Sequence, residues 1–263
     1  MYKKRNYRNL TFNDDLLRYE VSYFESNLYI SSKINLEDTA GYWLVFYHNQ
    51  ISAYIDKNPL FAKTLVPIAP DPGAPAIIRA MIKASAKANV GPMAAVAGAI
   101  AEFVGRKLLR YSSDVIVENG GDIFIASQKE RRIGIFAGIG NVYNKLVISI
   151  PAQDTPCGIC TSSGRIGHSL SFGNTSATIV LCKSAVTADA FATAIGNLVK
   201  HPEDMPAAIN QGRKNKAIRG LLIITDTQLA GYGAINRAVL DSSAPSFMVE
   251  GGRVAQSREE RKD

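Results

Sequence analysis

Cysteine is scarce in this chain: three residues, Cys157, Cys160 and Cys182, in 263. So few thiols argue against a secreted, disulfide-stapled framework and fit a reducing compartment. The first thirty residues hold no apolar signal-peptide core, because Asp14, Asp15, Arg18, Glu20 and Glu25 interrupt every hydrophobic stretch. The alanine-rich stretch from Pro92 to Val104 is too short to span a bilayer and runs into Arg106 and Lys107. No dense Lys/Arg stripe with interleaved aromatics crosses the middle of the chain, which argues against a dedicated nucleic-acid binder. These absences predict a soluble, cytoplasmic protein with neither a membrane nor a nucleic acid as partner.

The composition is 46% hydrophobic and 20% charged, enough to bury a large core. The formal net charge is +7. Lys3, Lys4, Arg5 and Arg8 crowd one end, and Arg253, Arg258, Arg261 and Lys262 the other. Such tails read as solvated ends. We therefore expect a basic arm over 1–18, a folded domain over 19–250 and a charged, fraying tail over 251–263.

Alternation at Tyr19, Val21 and Tyr23, then at Leu28 and Ile30, predicts two short strands with a turn at Glu25-Ser26-Asn27. From Leu36 the period lengthens, and Ala40, Leu44, Tyr47 and Ile51 predict a helix to about Ile55, with Asn35 as its cap. A proline-rich loop from Pro67 to Pro75 leads to a helix that stops near Asn89. A third, small-residue helix covers roughly Met93 to Leu109, where close packing by a neighbour is the expected reason for the small side chains. Strands are expected at Val115–Val117, Ile123–Ile125, Ile133–Phe136, Leu146–Ile150, Thr178–Cys182 and Leu221–Ile224. A helix is expected from Thr187 to Val199, and Gly231-Tyr232-Gly233 should turn the chain into a last strand at Ala234–Val239. Elements in blocks predict an α+β fold with a largely antiparallel sheet and packed helices. A small-residue helix preceding strands occurs twice, a faint echo compatible with two duplicated halves.

Four strings stand out: Val90 to Gly98, Val117 to Asp122, Cys160 to Gly173 and Ala188 to Thr193. Glu118-Asn119-Gly120-Gly121-Asp122 places two carboxylates beside glycine amides, which suits a ligand-binding turn or a plain hairpin. From Cys160 to Gly173 the chain is rich in glycine and hydroxyl groups, with Thr161, Ser162, Ser163, Gly164, Arg165, His168 and Ser169. That composition suits an anion cradle or a polar surface loop. His168 is a candidate acid/base group or ligand, or a structural histidine. Asp189 and Thr193 lie i, i+4 on one helix among alanines, so Asp189 either caps its own helix or joins Thr193 in holding a hard cation such as Mg²⁺. Cys157 and Cys160 form a C-x-x-C pair, open to reading as a dithiol, a persulfide carrier, half a zinc site or core filler; Cys182 reads as core.

The order Gly-Gly-Asp122, Thr161-Ser-Ser-Gly164 with downstream His168, and Ala188-Asp-Ala-Phe-Ala-Thr193 resembles the ApbE flavin-transferase superfamily. The strings Gly91-Pro-Met-Ala-Ala-Val-Ala-Gly98 and Glu118-Asn-Gly-Gly-Asp122 look more like its uncharacterised cytoplasmic branch. The resemblance covers about Tyr19 to Val239. It implies an ApbE-like α+β fold related to the T-fold, a homo-oligomer such as a dimer, Mg²⁺ on Asp189 and Thr193, and FAD or FMN as ligand. It carries over Gly120, Gly121 and Asp122, and then Thr161, Ser162, Ser163 and Gly164, to a flavin or nucleotide site. Beside it, the residues' own chemistry adds Glu118, Asn119 and Ser169 as ligand contacts, Asp122 and His168 as catalytic candidates, and Cys160 as the candidate of the sulfur reading. Two departures stand out. The His-x-x-Asp-Pro of ApbE enzymes is His168-Ser-Leu-Ser-Phe172 here, and their Lys-Gly pair is Ala97-Gly98. The expected function is flavin or nucleotide phosphate binding with a divalent metal and transfer of the bound group. The alternatives are sulfur transfer through Cys160, with Arg165 and amides lowering its pKa, and a non-catalytic binding module.

Overall fold

The computed structural model describes residues 15–135, 137, 143, 146–164 and 173–240, with side chains to residue 235. In chain order its strands are β1 (Leu17–Tyr23), β2 (Ser26–Ser32), β3 (Val115–Asn119), β4 (Asp122–Ala126), β5 (Arg131–Gly134), β6 (Leu146–Ile150), β7 (Cys157–Ser162), β8 (Ala177–Cys182), β9 (Gly220–Ile224), β10 (Leu229–Gly233) and β11 (Ala238–Leu240). The helices are α1 (Glu37–Lys57), α2 (Leu60–Lys63), α3 (Ala76–Ala88), α4 (Val96–Leu108), α5 (Ala185–Leu198) and α6 (Met205–Arg213). Eight strands form one antiparallel sheet in the order β1-β2-β3-β4-β7-β8-β9-β10, and β11-β6-β5 form a second.

Successive side chains of a strand face opposite sides, so the near-continuous apolar runs of the central strands serve two cores. Val117, Phe124, Cys160, Val180 and Leu221 face the helices. Their neighbours Ile116, Ile125, Ile159, Leu181 and Leu222 face the small sheet, where Ile133, Ile148 and Ile150 meet them. The layers are helices, large sheet, small sheet. Among the described residues no single helix is long and apolar enough to cross a membrane.

The α+β class with a large antiparallel sheet is as the sequence predicts. Asn35 caps α1 from one place further out than expected, its Oδ1 accepting from the Glu37 amide at 2.9 Å. Asn89 ends α3 in the left-handed region at φ 57°. Three expectations need correction. The first turn is at Phe24-Glu25, not 25–27, with Phe24 at φ 48°. The glycine- and hydroxyl-rich stretch from Cys160 begins not as a loop but inside strand β7, where Cys160 and Ser162 are buried; α6, which no expectation covered, turns Met205, Ala208, Ile209 and Gly212 inward. Finally, 231–233 is no turn but part of the edge strand β10, with a 3-10 turn at Ala234–Arg237 preceding β11. Gly231 hides that strand from sequence reading and permits it: a Cβ there would lie 2.7 Å from the Leu221 carbonyl oxygen. Of the arm expected over 1–18, residues 15–18 already belong to the fold, with Leu16 buried and Leu17 opening β1, while residues 1–14 and the tail expected over 251–263 lie outside the described residues.

At one end of β3–β4–β5 the chain buries an ion network. Arg131 is 3% and Asp114 1% exposed. The Asp114 Oδ1 accepts from Ser127 Oγ, from the Gln128 amide at 3.0 Å and from the Arg131 guanidinium at 3.0 Å. Lys33 Nζ stands 3.0 Å from Asp114 Oδ2, and Asp15 takes the other side of Arg131.

Candidate functional site

The β3–β4 hairpin closes through Gly120 and Gly121, both at positive φ (68° and 104°), where a side chain would be strained. Glu118 Oε1 accepts from the Gly121 amide at 3.0 Å, so this carboxylate braces the turn. Glu118 shares its side of β3 with Ile116, facing the small sheet. Asp122 has the parity of Phe124 and Ala126 and faces the helices. Asn119 also faces them, its amide donating to the Ala97 carbonyl at 3.3 Å.

Two glycines bring α5 onto this hairpin. A Cβ on Gly158 of β7 would lie 2.1 Å from Ala185 Cα, and one on Gly98 of α4 would lie 2.4 Å from the Ala185 carbonyl oxygen and 2.8 Å from Asp189 Cβ. The first turn of α5 therefore presses between α4 and β7 as no larger residue would allow. The small-residue stretch is a packing device, as expected. Asp189, one turn beyond Ala185, is carried into the same space: its Oδ2 accepts from the Gly98 amide at 2.8 Å. Asp189 thus does not cap its own helix. Ser184 caps α5, accepting from the Thr187 amide, and Asp189 instead receives the first turn of α4, whose unpaired amides favour a carboxylate.

Asp122 and Asp189 share one buried locality. Burial, and next the charge of Asp189, push the Asp122 carboxyl well above the usual carboxylate range. Burial pushes Asp189 up to about 7, against hydrogen bonds from the Gly98 and Ala97 amides. Asp122 Oδ1 is buried with no hydrogen-bond partner. Among the described residues neither carboxylate has a cationic side chain paired to it, and no group of three or more His, Cys, Asp or Glu is arranged to hold a metal.

Cys160 sits on the helix side of β7, one alternation beyond the Ile159–Ile123 pair. Its thiol donates to the Ala185 carbonyl at 3.3 Å and lies beside the Asp122 carboxyl. Burial and the nearby Asp122 and Asp189 charges raise the thiol pKa well above its ordinary value. This corrects the expectation of an activated thiolate: a protonated, fully buried thiol is a poor nucleophile. The C-x-x-C pair is also no dithiol or half zinc site. Cys157 faces the small-sheet core and Cys160 the helix core, as an odd spacing on a strand requires. Cys182 is core, as predicted.

Thr161 lies beside the hairpin tip, its Cβ 3.9 Å from where a Gly121 Cβ would stand. Ser162 and Thr178 lie under Gly196 of α5. Thr193, one turn past Asp189, is half-buried. Ser163 Oγ and the Gly164 amide both donate to the Thr175 carbonyl, at 3.5 and 3.2 Å. Arg165, His168 and Ser169 lie outside the described residues. The structure thus joins Asp122, Cys160 and Asp189 directly, sets Asn119, Gly121 and Thr161 at their margin, and turns Glu118 the other way.

Sequence reading missed Glu102. It is buried on α4, where its Oε2 accepts from Ser184 Oγ and the Ala185 amide, both at 2.7 Å, and Oε1 pairs with Arg106 at 2.8 Å. A lone acid one turn after Gly98, in a helix of small apolar residues, was the available signal. Glu102→Ala strands the start of α5, and we expect a loss of about 2 kcal/mol in urea unfolding. A midpoint equal to wild type would show the cap to be idle.

Comparison with known proteins agrees with the fold described above. A family model described as AbpE bacteria matches residues 8–229. The chain belongs to this family. Its curated relatives include the UPF0280 protein of Methanococcus vannielii, 43% identical over 202 residues, which are 75% of this chain and 82% of that one. The UPF0280 protein of Archaeoglobus fulgidus is 36% identical over 208 residues, 77% and 85% of the two chains. Among solved structures, the apo flavinyl transferase ApbE of Pseudomonas stutzeri superposes with a TM-score of 0.56 over 84% of this chain and 95% of its own, at 13% identity. The ApbE protein of Thermotoga maritima gives 0.52 over 82% and 96%, at 12% identity. At such identities the likeness establishes the ApbE-like fold alone.

Proposed function

We propose that this ApbE-like chain binds the phosphate portion of a flavin or nucleotide together with a divalent cation, and acts as a flavin- or nucleotidyl-type transferase. The observation that carries the reading is the buried, unpartnered Asp122 Oδ1 beside the buried Asp189 carboxylate. Two buried acids without a cationic side chain are costly unless protonated or bound to a cation. Asp189 and Thr193 would hold the ion, with Asp122 adding an oxygen. A set of one or two carboxylates suits Mg²⁺, which fills its remaining positions with water and phosphate oxygens. Once bound, the cation neutralises phosphate charge and polarises the phosphoryl group for transfer. The Gly121 turn and Thr161 lie beside the acids, close enough to bound the ligand. The flavinyl transferase activity named for the Pseudomonas stutzeri protein agrees in class with this reading.

Titration of the full chain with FAD, with and without Mg²⁺, tests it. Wild type should bind FAD only with the metal, and Asp189→Asn, which keeps an oxygen for the Gly98 amide, should weaken binding by about a hundred-fold. Equal binding by this variant, or no binding of FAD, FMN or ATP by wild type at any Mg²⁺ concentration, would overturn the proposal.

A further inference from the structure

Away from the acids, α3 and the proline-rich segment before it enclose a groove of about 640 Å³. That volume lies within the range of small-molecule sites. We propose that this groove is a separate binding site for a small organic anion with an apolar body and a phosphate or carboxylate head. Its walls divide by chemistry. Ile68, Pro70, Pro72 and Ile82 supply apolar surface, while Arg79, Lys83 and Lys87 form a cationic ridge.

The ridge follows from the sequence. Residues four apart on a helix are neighbours, about 6 Å apart along its axis, so 79, 83 and 87 bring three positive charges to one side. Like charges at that spacing repel and weaken an isolated helix. Some cations of the chain are paired: Arg106 with Glu102, Arg131 with Asp114 and Asp15, Arg219 with Asp154. Lys83 and Lys87 make no hydrogen bond or ion pair with any described residue.

The other two charged residues of the groove are already committed. Arg79 donates to the Ala74 carbonyl at 2.6 Å and the Pro72 carbonyl at 3.5 Å, tying the loop to the helix. Asp71 accepts from Tyr54 Oη at 2.9 Å and from the Gly73 amide at 3.0 Å. Those bonds and the prolines hold the wall in place before any ligand arrives, which lowers the entropy cost of binding. What remains unpaired is two ammonium groups beside an apolar floor. An anionic head fits the lysines, and an apolar or aromatic body fits Ile68, the prolines and Ile82. A few charges in a concave, partly apolar site suit a small molecule better than a nucleic acid, whose backbone calls for an extended basic track.

The probe is 1-naphthyl phosphate, titrated calorimetrically into the full chain, with inorganic phosphate and 1-naphthol as separate arms. We expect saturation at one molecule per chain below about 1 mM, with each half-ligand about ten-fold weaker. Lys83→Gln/Lys87→Gln changes exposed side chains only, and circular dichroism confirms its fold. It should weaken 1-naphthyl phosphate by about ten-fold and leave 1-naphthol unchanged. Asp189→Asn should bind the probe as wild type does. That arm separates this groove from the acid site, so either proposal can fail without the other. No saturation, unchanged affinity in the double lysine variant, or loss of binding in Asp189→Asn would each overturn the inference.

Discussion

Gly98→Ala should unfold the chain at a temperature lower by roughly 6–12 °C and remove cation-dependent ligand binding, although it adds one methyl group to a helix. Its Cβ would stand 2.4 Å from a backbone oxygen of α5 and 2.8 Å from Asp189 Cβ. Neither is the far end of a flexible side chain, so α4 and α5 must part. Forced overpacking of this kind costs about 1–3 kcal/mol, and contact with backbone on one side favours the upper end. Parting the helices also draws Asp189 from the Gly98 amide and from Asp122. Gly41→Ala is the control, because nothing lies within 4 Å of a Cβ there and alanine is the better helix former. It should raise stability by about 0.5–1 kcal/mol. Thermal unfolding followed by circular dichroism reads both signs. Equal and small effects at the two positions would refute the close approach.

Asp114→Ala should cost about 3–5 kcal/mol, the range for breaking a buried ion pair from one side. Among the described residues it leaves the Arg131 guanidinium, 3% exposed, with only Asp15 as a carboxylate partner. The same network sets acid sensitivity. Burial raises the Asp114 carboxyl, but hydrogen bonds from Ser127, Lys33 and Arg131 outweigh it and the net shift is downward. Asp15 is lowered to about 2, first by its bond to Arg131 and then by Lys129. A depressed folded-state pKa means that the unfolded chain binds more protons in acid. The network's contribution is thus fully present above pH about 4 and lost as pH falls toward about 2. Urea midpoints measured down this range should fall steeply for wild type and less steeply for Asp114→Ala. Parallel slopes would show that the network does not set the acid limit.

Much of the fold was legible because its signals are local. Alternation marked β1 and β2, and a three-to-four residue period marked α1. Asn-Gly-Gly-Asp marked a hairpin that indeed closes through two positive-φ glycines. The elements that escaped lack a local signal. In α6 the polar residues cover the outer face, and β10 is an edge strand of alternating exposure with two glycines. At the candidate site, Asp122, Cys160 and Asp189 were singled out as residue types, yet the thiol was expected to be activated. Burial reversed that, and burial is a property of what packs overhead. Glu102 escaped because its partners, Ser184 and the Ala185 amide, are 82 and 83 residues away in sequence.

The sequence by itself determined the class of the protein, its hairpins and helix ends, and the three strings from which a site could be assembled. Those features depend on backbone preferences and side-chain periodicity within a few residues. Only the tertiary structure decided that Gly98 and Gly158 admit α5 between α4 and β7, that Asp122 and Asp189 meet there, and that Glu118 and Cys157 turn to the opposite side of the sheet. Each of those outcomes depends on the approach of segments far apart in the chain. The pKa of a buried acid follows from the same approach, since excluded water and the second acid's charge are supplied by neighbours that no local pattern encodes.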